Sequence, residues 1–308
     1  MRSPQHPVRV GTRGSDLALR QVQEVVEQLL DSFPDVRCEV CPIATRGDRH
    51  PENTIPEIGV GVFVRELEEA LRRRQIDVAV HSMKDLPTEQ PQDLMLAAVT
   101  KREDPRDALV NRWNAPLREL PGGARIGTGS PRRAVQLLAQ RPDLQVLPIR
   151  GNVPTRLGKA RGPDYDGVVV ALAGLRRLGR EQEAAEVFPC EVMVPAPGQG
   201  ALALQVREGD EALAGLLRGI EHRDTAVAVR AERALLQVVG GGCRAAFGAY
   251  ASVAGTSLTL TGMVGGQSGS SLYKATASGS VRDLLQVVRE TYRQLCELGA
   301  ARLLETSG

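Results

Sequence analysis

The stretch that most restricts the fold is residues 77–88, DVAVHSMKDLPT. A mostly apolar run, 77–80, leads straight into His81, Ser82, Lys84 and Asp85, and Pro87 ends the element. Such a run reads as a buried strand. A cation and an anion side by side at its end are costly unless they face a cleft or each other. The lysine is also rare, one of four (Lys84, Lys101, Lys159 and Lys274) beside 35 arginines. A buried strand with a charged end suits an open α/β sheet, whose ligand sites lie outside the strand ends.

The surrounding pattern agrees. Residues 8–12 read as a short strand. Leu19, Val22, Val25, Val26, Leu29 and Leu30 follow helical spacing. Residues 36–43 form a second strand, 46–61 a polar loop with Pro and Gly, 63–74 an amphipathic helix, and 78–81 the next strand. This is α/β patterning with a largely parallel sheet. The polar segment TKREDPRD (100–107) reads as a crossing, after which the pattern restarts. Strands are predicted at 124–127, 146–149 and 168–172, and helices at 131–139 and 153–160. A Pro/Gly-rich stretch, VPAPGQG (194–200), reads as a second crossing, followed by the strand ALALQV.

The last part differs. Asp224 can cap a helix carrying Val227, Ala231, Leu235 and Val238 on one side. That helix stops at Gly240-Gly241-Gly242, and Cys243 follows. Three β-like runs (FGAYASV, SLTLTGMV, LYKATAS) and a closing helix at 281–298 suggest a small α+β domain. The expected organisation is two α/β domains, 1–101 with 200–221 and then 102–199, followed by 222–308.

Composition excludes several function classes. A net charge of +2 provides no global field for nucleic acid or a membrane surface. Aromatics are 3%, which argues against base-stacking platforms. The longest apolar run, 168–173, is far short of a membrane span. The N-terminus lacks the apolar core of a signal peptide, so a cytoplasmic protein is expected. Five irregularly spaced cysteines argue against a disulfide framework, and Cys38-x-x-Cys41 lies in an apparent strand, where packing explains it. The four histidines show no metal spacing, so no metal is expected. No large exposed apolar pattern demands a partner, and a monomer is expected.

The arginines fall at recurring positions. In IGTGSPRRAVQLL, Ser130 is a good N-cap and Pro131 fits the first helical position. Arg132 and Arg133 then oppose the helix dipole in the first turn, at a cost of very roughly 0.3–1 kcal/mol each. Free backbone N–H groups and two guanidinium groups would converge on an anion. Two solvated arginines are the bland alternative. Arg13 follows the first strand, with Ser15 at the start of the next helix. Arg150 ends the strand VLPIR, Arg156 lies just after Pro154, and Arg176 and Arg177 follow VVVAL. Matching strand-end arginines in two α/β units argue for a cleft that binds a polycarboxylate. Phosphate is the rival, but there is no GxxxxGK[ST] loop, and GTGSPR lacks the third glycine of a dinucleotide fingerprint. Cys243, on a flexible glycine turn and before Arg244, is a candidate catalytic or attachment thiol.

In order along the chain stand GTRGSDLAL, ATRGD, VHSMKDLPT, REDPRDA, GTGSPRR, IRGNVPTRL, AGLRRLG, PGQGALA and ERALLQVVGGGC. Together, over residues 8–250, they resemble the porphobilinogen deaminase (hydroxymethylbilane synthase) family of tetrapyrrole and haem biosynthesis. The resemblance implies two periplasmic-binding-protein-like α/β domains plus a small C-terminal α+β domain. It implies a transferase that joins four porphobilinogen units head to tail with loss of ammonia, primed on a dipyrromethane cofactor. The family's attachment cysteine matches Cys243, implying a thioether, and its catalytic aspartate matches Asp85. Its basic cleft residues match Arg13, Lys84, Arg132, Arg133, Arg150, Arg156 and Arg177, and its polar contacts match Ser15, Thr128 and Ser130. Of these, Lys84, Ser15, Thr128, Ser130, Arg132, Arg133 and Arg150 are expected on the cofactor, and Arg13, Arg156 and Arg177 on substrate.

The residues suit that chemistry. Each porphobilinogen ring carries an acetate and a propionate, so guanidinium forks fit a growing polycarboxylate. Loss of ammonia leaves an electron-poor methylene-pyrrolenine, and a carboxylate beside the pyrrole N–H stabilises the developing positive charge. Two departures from the family stand out. The loop before Phe63 reads PEIGVGVF, with Glu57 and Val60 where the family carries lysines, and one residue fewer. Gly129 and Pro131 replace a serine and a larger apolar residue. Activity is expected to survive both. A carboxylate-binding or sensor protein of the same fold is the alternative, but it leaves Cys243 and the third domain unexplained.

Overall fold

The computed structural model describes residues 7–43, 62–240, 246–266, 269 and 271–305. The loop 46–61 and Cys243 with most of its glycine turn therefore lie outside the described residues. The strands are β1 (Val8–Arg13), β2 (Cys38–Ile43), β3 (Val78–Ser82), β4 (Leu94–Val99), β5 (Asp107–Asn111), β6 (Arg125–Gly127), β7 (Gln145–Leu147), β8 (Gly167–Ala171), β9 (Glu186–Val187), β10 (Leu202–Arg207), β11 (Ala246–Ala254), β12 (Ser257–Gly265) and β13 (Leu272–Ser280). The helices are α1 (Asp16–Ser32), α2 (Val62–Arg72), α3 (Pro131–Gln140), α4 (Val153–Lys159), α5 (Leu172–Arg177), α6 (Glu211–Arg218), α7 (Arg223–Val239), α8 (Leu284–Leu298) and α9 (Ala301–Glu305). The chain divides into two compact units, 1–103 with 201–226, and 104–200 with 227–308.

The first unit is built on one five-stranded sheet in the order β2-β1-β3-β10-β4. β1 runs parallel to β2 and β3, whereas β10 is antiparallel to both β3 and β4. The expected largely parallel sheet is thus only half parallel. The reason is that β10 arrives over the second crossing and needs no helix to reverse it. One face packs Val10, Val78, Val80, Leu202 and Leu204 against Val22, Val25 and Leu29 of α1 and Leu213 and Leu217 of α6. The other face sets Ile76 and Ala79 against Leu67 and Leu71 of α2. Burial on both faces is why 78–80 carries no polar alternation. On α1, Leu19 and Leu30 turn outward, and Ala18 and Gln21 take the inner positions.

The second unit holds two sheets. The larger has the order β7-β6-β8-β5-β9, with β6 parallel to β7 and β8, and β5 antiparallel to β8 and β9. The first sheet has the same plan: three parallel strands in the order second-first-third, then an antiparallel strand supplied over a crossing. The smaller is the antiparallel meander β11-β12-β13. Its core joins Ala228, Ala231, Leu235 and Val239 of α7 to Leu258, Leu260 and Ala277 of the sheet and Val287 and Val288 of α8. Gly262 permits this close approach, since a Cβ there would lie 2.8 Å from Leu235 and 2.9 Å from Leu295 side-chain carbons. Val238, expected inside, is exposed, because the buried stripe passes through Val239. Asp224 sits inside the first turn of α7, and the side-chain cap comes instead from His222, whose Nδ1 accepts from the Thr225 N–H at 3.3 Å. Two α/β sheets and a small C-terminal sheet-and-helix part are the expected fold class.

Candidate active site

In the first unit, β1 and β3 are neighbours, with Val10 beside Val78 and Gly11 beside Ala79. β1 leads to α1, while β3 leads to a single 3₁₀ turn, Met83–Asp85. The second-first-third strand order places a topological switch point outside their carboxyl ends, the ligand crevice of open α/β sheets. Arg13 and Ser15 stand at the end of β1, and Lys84 and Asp85 at the end of β3. Ser15 has a local task too, because its hydroxyl accepts from Ala18 N–H at 3.4 Å and caps α1.

The turn that carries Asp85 is pinned from below. Met83 and Leu86 are 1% and 3% exposed, and positions three apart in a 3₁₀ turn share a face. Lys84 and Asp85 are consequently on the other face, with Lys84 half-buried and Asp85 exposed. Met83 N–H donates to Ala201 O at 3.0 Å. Ser82 Oγ and the Gln21 amide exchange bonds of 2.9 and 3.2 Å, which tie the strand end to α1. Among the described residues the Asp85 carboxylate has no hydrogen-bond or ion-pair partner, so a structural Lys84–Asp85 pair is not formed. The other candidate for proton chemistry here, His81, is ruled out by its surroundings. It is buried, and burial lowers its pKa to about 4 against the opposing effect of its bond to Gln205 Oε1 at 3.1 Å. The Gln205 amide nitrogen donates to Gln90 Oε1 at 3.1 Å, so its oxygen must accept from His81 Nε2–H. His81 is a neutral structural side chain.

In the second unit the parallel strands β6, β7 and β8 end at Thr128, Arg150 and the start of α5, respectively. Thr128 is buried, and its hydroxyl accepts from Ser130 N–H at 3.2 Å. Ser130 caps α3 by accepting from Arg133 N–H at 3.4 Å. A Cβ on Gly129 would stand 3.0 Å from Ile149 O, so the strand end is closely drawn in at this glycine. Arg150 is exposed, with no side-chain partner among the described residues. Arg156 donates from Nε to Gly151 O at 2.8 Å. Arg177 donates to Gly200 O at 3.1 Å, and its neighbour Arg176 pairs with Glu181 and Asp104.

Arg132 and Arg133 are neither solvated nor waiting for an outside anion alone. Both are 5% exposed, and the anion on which they converge is Asp107, the first residue of β5, 0% exposed. Arg132 Nη1 donates to Asp107 Oδ2 at 2.6 Å and to Val194 O at 2.7 Å. Arg133 donates to Asp107 Oδ1 from Nε at 3.0 Å and from Nη2 at 2.7 Å, and from Nη1 to Val169 O at 2.9 Å. Burial alone would push the Asp107 carboxyl up, but the two guanidinium groups hold it well below the usual carboxylate range. Two cations against one anion leave this buried cluster one positive charge over. Arg132 Nε is buried with no acceptor among the described residues. Both facts fit a ligand that brings a carboxylate.

Asp107 is the residue that sequence reasoning missed. In the sequence it falls in the polar crossing TKREDPRD. The available signal was an acid directly before an apolar run, as Asp77 precedes VAV. β5 is antiparallel to β8, with Asp107 beside Ala171, so its first residue lies at the carboxyl edge of the parallel strands. Cys38 and Cys41 are half-buried free thiols of β2, and burial raises both pKa values. No group of His, Cys, Asp and Glu among the described residues could hold a metal.

These features define a class: a doubled α/β protein with anion-binding groups at the strand ends of both sheets and a carboxylate held toward solvent at one of them. Residues 8–215 match the family model described as porphobilinogen deaminase, dipyromethane cofactor binding domain, and residues 226–295 match that of the porphobilinogen deaminase C-terminal domain. Porphobilinogen deaminase from Alkaliphilus metalliredigens is 43% identical over 97% of this chain and 95% of its own length. The protein of that name from Acidothermus cellulolyticus is 47% identical over 97% and 91%. The chain belongs to the porphobilinogen deaminase family. Similar solved structures include the methionine-binding protein MetQ (13% identity, 71% of this chain and 89% of that chain, TM-score 0.45) and the Bordetella pertussis BvgS VFT2 domain (16%, 69% and 85%, 0.43).

Proposed function

We propose that this chain condenses four porphobilinogen molecules into hydroxymethylbilane with release of ammonia, and that its strand-end residues divide the work as follows. The dipyrromethane cofactor, held as a thioether on Cys243, supplies the pyrrole end to which new units are joined. Asp85 faces the pyrrole N–H and stabilises the positive charge that develops as ammonia leaves. The observation that carries this role is its carboxylate, unpartnered among the described residues on a turn locked by buried Met83 and Leu86. Lys84 and Arg132 hold cofactor carboxylates, joined by Arg133 and Arg150, with hydroxyl contacts from Ser15, Thr128 and Ser130. Arg13, Arg156 and Arg177 take substrate carboxylates. Exposed Arg150 and the buried Nε of Arg132, unpaired among the described residues, have donor capacity left for this. Arg133 already spends all three guanidinium nitrogens on protein acceptors, so its main effect is to hold the pair in place.

On the same reading the chain has three domains, 1–101 with 200–221, 102–199, and 222–308, supported by its three separate sheets. It works as a cytoplasmic monomer, on the sequence grounds given above. The experiment that tests the function is intact-mass measurement of protein purified from cells that make porphobilinogen. The wild type carries a covalent adduct that Cys243→Ser abolishes. An unmodified wild-type mass refutes the reading.

A further inference from the structure

The geometry points to Asp107 as the positioning residue of the arginine pair: it sets both guanidinium forks at the first turn of α3 so that the Nε edge of Arg132 is left for one ligand carboxylate. The inference rests on the reading above, in which Arg132 meets the cofactor.

Three observations carry it. The first is the saturation of the carboxylate. Asp107 Oδ1 accepts from Arg133 Nε, Arg133 Nη2 and Gln199 Nε2, the last at 2.9 Å, and Oδ2 accepts from Arg132 Nη1. Four donors from protein side chains, three on Oδ1 and one on Oδ2, engage both oxygens of this fully buried carboxylate, so it acts inward, on the arginines. The second is the rigidity of its setting. Gln199 also donates to Pro105 O at 2.6 Å. Gln136 brackets Val194, accepting from its N–H at 2.8 Å and donating to its O at 3.2 Å, and that O is the second acceptor of Arg132. Gly198, next to Gln199, donates to the buried Glu232 of α7 at 2.6 Å. The third is the charge count. With Asp107 the cluster is one charge positive. Without it two adjacent buried cations repel each other, oppose the dipole of α3 and lose their common acceptor.

A purely structural charge-neutralising role predicts something different from a positioning role. Asp107→Glu keeps the charge and moves the carboxylate by one methylene, so neutralisation survives and the fork geometry does not. The experiment follows, by intact mass, the rate at which cofactor-free wild type, Asp107→Asn, Asp107→Glu, Arg132→Leu and Asp107→Glu/Arg132→Leu gain the adduct when given porphobilinogen. Melting temperatures are taken on the same samples. Expected are at least tenfold slower adduct gain in Asp107→Glu with a melting temperature within a few degrees of wild type, and no further slowing when Asp107→Glu is added to Arg132→Leu. Wild-type loading in Asp107→Glu, or full additivity in the double variant, overturns the positioning role and leaves the proposed function standing. An absent wild-type adduct overturns the proposed function itself. If Asp107→Asn does not fold, the Glu variants still decide.

Discussion

Replacing Asp85 with asparagine tests the chemistry with little disturbance to the fold. The side chain is exposed, has no partner among the described residues, and sits on a turn held by Met83 and Leu86, neither of which is touched. Asparagine has nearly the same shape, so stability should change by no more than about 0.5 kcal/mol. The lost interaction is a preorganised charge facing a cation that exists only on the way to the transition state. Removing one such group typically costs about 2.7–4 kcal/mol, roughly 10²–10³ in turnover. The effect should fall on kcat, because the cation is not present in the bound ground state. The assay is hydroxymethylbilane formation at saturating porphobilinogen, on protein whose intact mass shows the cofactor in place and whose melting temperature matches wild type. Turnover within about tenfold of wild type under those conditions would refute the role of Asp85. A large fall in melting temperature would instead mean that the carboxylate has a structural partner.

Further predictions concern other parts of the chain. Arg150→Gln should leave the melting temperature unchanged and slow the gain of the cofactor adduct by cofactor-free protein given porphobilinogen, because this arginine is exposed and has no side-chain hydrogen-bond or ion-pair partner among the described residues; intact mass against time checks it. Asp77 accepts from Arg9 and Arg207, and although burial alone would raise its pKa these bonds bring it down to about 2. A depressed folded-state pKa contributes stability that is present above about pH 4 and lost as the pH falls toward 2. Asp77→Asn should therefore cost about 3 kcal/mol at neutral pH and flatten the decline of melting temperature between pH 4 and 2. Gly240, at the end of α7, has φ +95°, and a Cβ there meets nothing within 4 Å among the described residues. Gly240→Val should cost about 1–2 kcal/mol through backbone strain alone, measurable by denaturant unfolding.

Much of the fold was legible because burial on both faces leaves a mark on sequence. The run 78–80 is apolar throughout because helices cover both sides of its sheet. α3 was readable from Ser130 and Pro131, whose capping roles are local. Strands β4 and β5 left weaker marks. LMLAAV follows a short turn at 91–93 and DALVN a polar connecting segment, and both take their place in the sheets by pairing with β10 and β8. The inner stripes of α1 and α7 were off by one position at Leu30 and Val238, because helical spacing defines a face but not its rotation against the sheet.

The sequence by itself determined the classes of group at the site: an acid and a lysine at one strand end, arginines and hydroxyls at others, a cysteine after a glycine turn. Composition, capping and periodicity are local properties, and they carry that much. Only the tertiary structure decided which of these groups are open to a ligand. Asp85 faces solvent, whereas Arg132 and Arg133, the same kind of strand-end group in sequence, are buried on Asp107, 26 positions from the second of them. That pairing follows from an antiparallel strand that brings its first residue to the carboxyl edge of its parallel neighbours. Strand direction is a matter of long-range pairing, and no local pattern encodes it.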